Sequence, residues 1–183
     1  MVKRIPVPNT FQAVDDFVDD AWDHIRAIPG ADAVFYGASE AANFSKIWHA
    51  LGLARAIAER DPKRAMYTSA ALAIEASLVN GPIKSLFERE RPDVRPEDRP
   101  KNLRQPKTSS FPSGHASAAI VAEAFITPGM GPVGRTAVRS LAAVVATSRI
   151  HVQIHHATDV VAGAATGWAL TKAIRPVLRR VLG

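Results

Sequence analysis

The chain of 183 residues has no cysteine. Disulfide scaffolds, thiol nucleophiles, iron–sulfur clusters and cysteine-ligated zinc are therefore excluded together. Aromatic residues are sparse at 7%, and 11 Gly and 13 Pro beside 47% hydrophobic residues fit neither a collagen-like nor a disordered composition. Long apolar runs are missing too. The longest stretch free of Asp, Glu, Lys and Arg is 108–122, interrupted by Pro112 and His115, whereas a membrane span needs about 20 mostly apolar residues. The start, MVKRIPVPNTF, is basic and carries two early prolines without an apolar run, so no cleaved export signal is expected. What remains is one alanine-rich domain with one sizeable core.

The net charge of +6 is unevenly spread. Asp15, Asp16, Asp19, Asp20, Asp23 and Asp32 face only Lys3, Arg4 and Arg26 within residues 1–32, so the positive excess lies in the rest. A basic balance suits nucleic acid, an anionic membrane or a phosphorylated substrate. Nucleic acid is disfavoured, because the basic stretch 89–107 holds no aromatic residue and no recognition-helix signature is present.

Apolar Phe11, Val14, Phe17, Val18, Trp22 and Ile25 recur at helical spacing across 10–28, with the aspartates opposite. This predicts an acidic amphipathic helix, capped by Asn9 or Thr10, that forms an N-terminal segment 1–32 ahead of a bundle 33–183. Further helices are expected over 33–60, 63–87, 113–128, 134–149 and 158–181. The segment 88–110, with Pro92, Pro96, Pro100 and Pro106 and no apolar period, reads as a loop. The fold class is thus all-α, a single-domain helical bundle of about six helices without a convincing strand.

Three blocks carry chemistry: Lys84-x6-Arg91-Pro92, Pro112-Ser113-Gly114-His115, and Ser148-Arg149-x5-His155-x3-Asp159. All fall at predicted helix ends. One Lys and two Arg offer a point charge and two planar forks for anionic oxygens, a set suited to a phosphate ester. Ser113 sits where an N-cap belongs, so the following N–H groups face an anion, and Gly114 permits close backbone approach. Of the two histidines one must attack phosphorus and the other protonate the leaving oxygen. Asp159, four residues after His155, can hold one ring N–H and leave the other nitrogen its lone pair, which makes His155 the nucleophile and His115 the acid.

Together the three blocks resemble the type 2 phosphatidic acid phosphatase superfamily, which includes class A acid phosphatases and vanadium haloperoxidases; the resemblance covers about 40–175 and fills every signature position. It implies that Lys84, Arg91, Ser113, Gly114 and Arg149 bind phosphate, that His155 forms a phosphohistidine, and that no metal or other cofactor is needed. It further implies a phosphorylated lipid or prenyl substrate. A vanadate-dependent haloperoxidase and a non-catalytic lipid-phosphate or anion binder are the alternatives. The second needs cations but no poised acid and nucleophile.

Other residues have blander readings. His151, His155, His156 and Asp159 could be taken for zinc ligands, but Arg149 beside them would repel a dication. His156 is expected to be a wall of the site, and His24 and His49 to be packing histidines. Glu75 either pairs with a basic residue or marks a site feature. The expected location is the cell membrane, through weak alanine-rich spans or surface association, with Lys172, Arg175, Arg179 and Arg180 suited to anionic lipid. In a spanning bundle all three blocks share one side, weakly outside by the distribution of basic residues, with 88–107 overhanging the site as a lid. The oligomeric state is not legible.

Overall fold

The computed structural model describes residues 5–8, 10–93 and 108–182. The candidate cap Asn9 and most of the expected lid, 94–107, lie outside the described residues. Among the described residues seven α-helices follow one another: α1 Thr10–Arg26, α2 Ala31–Ala41, α3 Lys46–Glu59, α4 Pro62–Leu78, α5 Gly114–Ile126, α6 Pro132–His151 and α7 Ala157–Leu182. Two residues before α1, β1 Ile5–Pro6, pair in parallel with β2 Phe87–Glu88.

The all-α class holds, with one helix more than the sequence suggests. The stretch expected as 33–60 breaks at Asn43–Ser45, where Phe44 and Ser45 adopt φ of 55° and 57°. Left-handed backbone at two consecutive non-glycine residues cannot continue an α-helix, and no Gly or Pro marks the spot. The expected 63–87 helix ends as regular α at Leu78 and passes into a π-turn, Val79–Ile83, around Gly81 and Pro82. That turn redirects the chain so that Lys84 is buried rather than displayed on the helix surface. Asp61 caps α4 by accepting from the Lys63 N–H at 3.2 Å, as an Asp-Pro helix start should.

The α1 reading needs correction. Its apolar stripe is too wide to be covered: Phe17 is 74% exposed and Val14 52% exposed, while Asp15, from the acidic face, is 3% exposed. Phe11, Val18 and Trp22 make the contact side instead, and Asp15 goes inward because it meets a cation there.

Helix α5 is the centre of the bundle, packed against α4, α6 and α7. Its sequence, GHASAAIVAEAFI, is apolar nearly all round, as an enclosed helix must be, and Ala116, Ala119, Val121 and Ala122 are fully buried. Trp48, Leu72, Val145 and Ile174 complete the core around it. Two glycines set the α5–α7 distance. A Cβ on Gly163 would lie 2.3 Å from the Ser113 carbonyl oxygen, and one on Gly167 2.4 Å from that of Ser117. Only glycine permits this approach, which brings the start of α7 against the start of α5. Gly163→Ala should therefore force the helices apart and lower stability by about 3 kcal/mol, read as a fall in melting temperature. An unchanged melting curve would contradict the close packing.

Candidate active site

The three sequence blocks converge at one end of the bundle. Lys84 follows the π-turn, Ser113 to His115 open α5, Arg149 lies in the last turn of α6, and His155 and Asp159 bracket the turn into α7. Lys84, Ser113, Arg149, His155 and Asp159 are all buried. Ser113 caps α5 by accepting from the Ala116 N–H at 3.5 Å, and its own N–H donates to the Asp159 carbonyl at 2.9 Å. The first turn of α5 is thereby tied to the first turn of α7. At Gly114 a Cβ would stand 3.2 Å from the Asn80 side chain, so the glycine also makes room for the π-turn.

The ring of His155 is held on both sides. Nδ1 faces Asp159 Oδ2 at 3.4 Å, and Nε2 faces Arg91 Nη1 at 3.3 Å. A guanidinium only donates, so the arrangement suits a neutral ring protonated at Nδ1 with the Nε2 lone pair directed at Arg91. The same Arg91 Nη1 donates to the Ile154 carbonyl at 2.9 Å, and Nη2 donates to the carbonyls of Thr108 and Ser109 at 3.2 and 3.3 Å. The turn carrying His155 hangs from the end of α6, where the Arg149 carbonyl accepts from the N–H groups of Ile154 and His155, both at 3.1 Å.

Ser39, on α2, joins two other members. Its hydroxyl accepts from Arg149 Nη1, and its carbonyl faces His115 Nε2 at 3.3 Å. No motif or period in the sequence singles Ser39 out. Arg89 is a second residue missed, since it reads as one more charge in a charged loop. It donates to Asp159 Oδ1 at 2.5 Å and to Thr158 Oγ1 at 2.8 Å, and it pairs with Asp15.

Proton affinities follow from this crowding. Burial, with the Arg149 and Arg91 cations, pushes His155 down to about 3 against the raising effect of Asp159. Burial, then Arg149 and His155, hold His115 well below the usual imidazole range, opposed by its hydrogen bond to Ser39. Burial, with Arg91 and Arg149 adding, lowers Lys84 to about 8. For Asp159 burial acts upward, yet His155, Arg89 and the His156 N–H outweigh it and keep the carboxyl below its ordinary value. Beyond burial, neighbouring cations add to each of these shifts, and an anion with several oxygens would relieve that part.

Glu75 is buried, its Oε1 has no hydrogen-bond partner among the described residues, and Lys84 acts on it only through its charge. Burial pushes its carboxyl up to about 7, against the Ser117 hydroxyl and Lys84. Of the other histidines, His151 pairs with Asp32 at 2.9 Å and stacks on Phe35, which occupies it away from His155. His49 bonds the Ser69 hydroxyl at 3.0 Å, whereas His24 is exposed rather than packed. His156, half-buried, borders a cavity of about 360 Å³ together with Gln12, Asp16, Glu88 and Arg91.

Comparison with known proteins bears on the chemistry. The model of the PAP2 superfamily matches residues 64–181. The chain is 32% identical over 140 residues, 75% of its length and 75% of the relative's, to a decaprenylphosphoryl-5-phosphoribose phosphatase of Mycolicibacterium smegmatis. Its fold is similar to that of a transmembrane PAP2 type phosphatidylglycerolphosphate phosphatase from Bacillus subtilis, with a TM-score of 0.68 at 22% identity, covering 95% of this chain and 89% of that one.

The Glu75 carboxyl gives a pH signature. With a folded value of about 7 against an ordinary 4.5, the folded state binds the extra proton between those limits, so stability falls as pH rises through that window and levels off above it. Glu75→Gln should melt higher than wild type at pH 8, with the difference shrinking toward pH 5. A difference independent of pH would contradict the raised carboxyl.

Proposed function

The chain belongs to the PAP2 superfamily and is a phosphoric ester hydrolase of that type, and from this premise we propose that it releases phosphate from a lipid or prenyl phosphate monoester or diphosphate through a phosphohistidine. The observation that carries the proposal is the imidazole of His155, backed by Asp159 and facing Arg91. A neutral ring with one nitrogen held by a carboxylate is a nucleophile ready at neutral pH, and its low proton affinity keeps it so.

In the proposed reaction Lys84, Arg91, Arg149 and the N-terminal turn of α5 with Ser113 and Gly114 take the phosphoryl oxygens. Arg91 exchanges its contact with Nε2 for the anion. Nε2 then attacks phosphorus, the P–O bond to the leaving group breaks, and His115 gives that oxygen a proton. Bound phosphate favours the protonated form of His115, because its charge offsets the cations that help burial depress this imidazole. In the second half a water attacks phosphorus while His115 takes its proton, the P–N bond breaks, and inorganic phosphate leaves with His155 neutral again. The residues supply nucleophile, acid and charge stabilisation without calling on a metal.

A lipid or prenyl substrate is supported by the relative, whose name couples a decaprenylphosphoryl group to a phosphoribose. Membrane association is supported by large apolar side chains left uncovered, among them Phe17, Phe44, Ile57, Trp168 and Val181, and by Lys172 beside Trp168. No helix among the described residues is long and apolar enough to cross a membrane; the association we propose rests on these exposed apolar side chains. We also propose that residues 1–32 form an N-terminal segment whose helix α1 packs on a bundle running from residue 33 onward.

The test is turnover of a polyprenyl phosphate in detergent micelles, followed by phosphate release. His155→Ala should lose about 10⁴-fold or more in kcat while still binding inorganic phosphate, and Arg149→Lys should weaken both binding and turnover because the fork is lost. Substantial activity in His155→Ala would overturn the nucleophile, and recovery of the protein wholly in the supernatant of low-salt membrane preparations would overturn the association.

A further inference from the structure

Asp15 is the one buried member of the acidic cluster on α1, and its contacts lead directly to the site. Its Oδ1 accepts from the Thr158 N–H at 2.8 Å, and its Oδ2 accepts from the Thr158 hydroxyl at 2.8 Å. The same Oδ2 pairs with Arg89 Nη2. The other arm of Arg89, Nη1, reaches Asp159 Oδ1 at 2.5 Å. Asp159 turns its second oxygen, Oδ2, to His155 Nδ1 and to the His156 N–H at 3.0 Å. Its two oxygens are thus divided, one held by Arg89 and one facing the imidazole.

We propose that Asp15 and Arg89 are positioning residues of the hydrolytic reaction, fixing the Asp159 carboxylate so that its other oxygen orients the His155 ring, and that α1 is therefore part of the catalytic apparatus. This rests on the reading of His155 as the nucleophile. The warrant is geometric. A carboxylate that meets an imidazole at 3.4 Å directs it only if its own rotation is stopped, and a guanidinium bonded to the far oxygen stops it. Asp15 in turn fixes the guanidinium, and by holding Thr158 it seats the first turn of α7 on α1.

A pair serving only to dock α1 would need Thr158 alone. Here the fork ends on the group that faces the nucleophile. Asp15 also balances a cation: without it, Arg89 would draw only on Asp159, the carboxylate that serves His155. The charged and titratable groups that act on that ring are Arg91 from the segment after α4, His115 from α5, Arg149 from α6 and Asp159 at α7, among the described residues, while Arg89 and Asp15 reach it through Asp159.

Charge makes the two substitutions separable. Arg89→Met removes a cation from the Asp159 side, so His155 holds its proton to higher pH and the acid limb of kcat moves up. Asp15→Asn, nearly isosteric, leaves Arg89 unbalanced, so the limb moves down. Both should lower kcat by about ten- to hundredfold, the scale of a misplaced reacting group, with little change in KM, and Arg89→Lys should return the limb toward wild type. Damage to folding alone would not shift the limb in opposite directions. Should Arg89→Met fail to fold, Asp15→Asn carries the test. Measured on the full chain with a polyprenyl phosphate in micelles, a wild-type kcat and limb in both variants, a change in KM alone, or shifts in the same direction would overturn the inference. His155→Ala, assayed alongside, separates the failures: if it is inactive while the two variants match wild type, only the positioning roles fall, and if it is active, the nucleophile and these roles fall together.

Discussion

Lys84, Arg91, Arg149 and Arg89 all bring positive charge to the buried surroundings of one imidazole, with the carboxylates of Asp159 and, one step further out, Asp15 set among them. Burying like charges together is among the least favourable things a protein can do, and Lys84 and His155 are lowered first by burial and then by the cations beside them. The remainder of the fold is arranged to keep this cluster in place. Arg91 rests on backbone carbonyls, Arg149 on Ser39, and Arg89 between two aspartates. A phosphoryl group supplies the missing negative charge, so its binding and the relief of the cluster are one event.

The scaffold serves that cluster by joining helix ends. The starts of α5 and α7, the end of α6 and the chain after α4 meet because α5 and α7 cross closely enough for Ser113 to bond the Asp159 backbone, and that approach depends on Gly163 and Gly167. The π-turn at Val79–Ile83 sits at the same end, where a local departure from α-geometry aims Lys84 inward. Glu75 lies deeper, and its raised carboxyl makes it a weak counter-charge for Lys84 near neutral pH.

The helical class, most helix ends and the gathering of Lys84, Arg91, His115, Arg149, His155 and Asp159 were legible, since Pro, Gly and N-cap residues mark boundaries and the blocks sit beside them. Ser39 was not, because a serine in an alanine-rich helix gives no local sign of a partner 110 residues away. Arg89 and Asp15 were hidden for a related reason: each is one charge among many in its own segment, and only tertiary contact distinguishes them. Periodicity misjudged α1 as well. It ranks faces by apolarity, whereas the buried face of α1 is chosen partly by the Asp15–Arg89 pair, which leaves Phe17 in the open. The break at Phe44 and Ser45 carries no sequence mark, as the strained backbone falls on ordinary residues.

The central claim is that the imidazole of His155 takes the phosphoryl group from the substrate. Rapid acid-free quenching of the enzyme during turnover of a ³²P-labelled polyprenyl phosphate, followed by peptide mapping, tests it most directly. The account predicts transient label on His155, stable to base and labile to acid. Label on another residue, or none at any time while phosphate is being released, would contradict it.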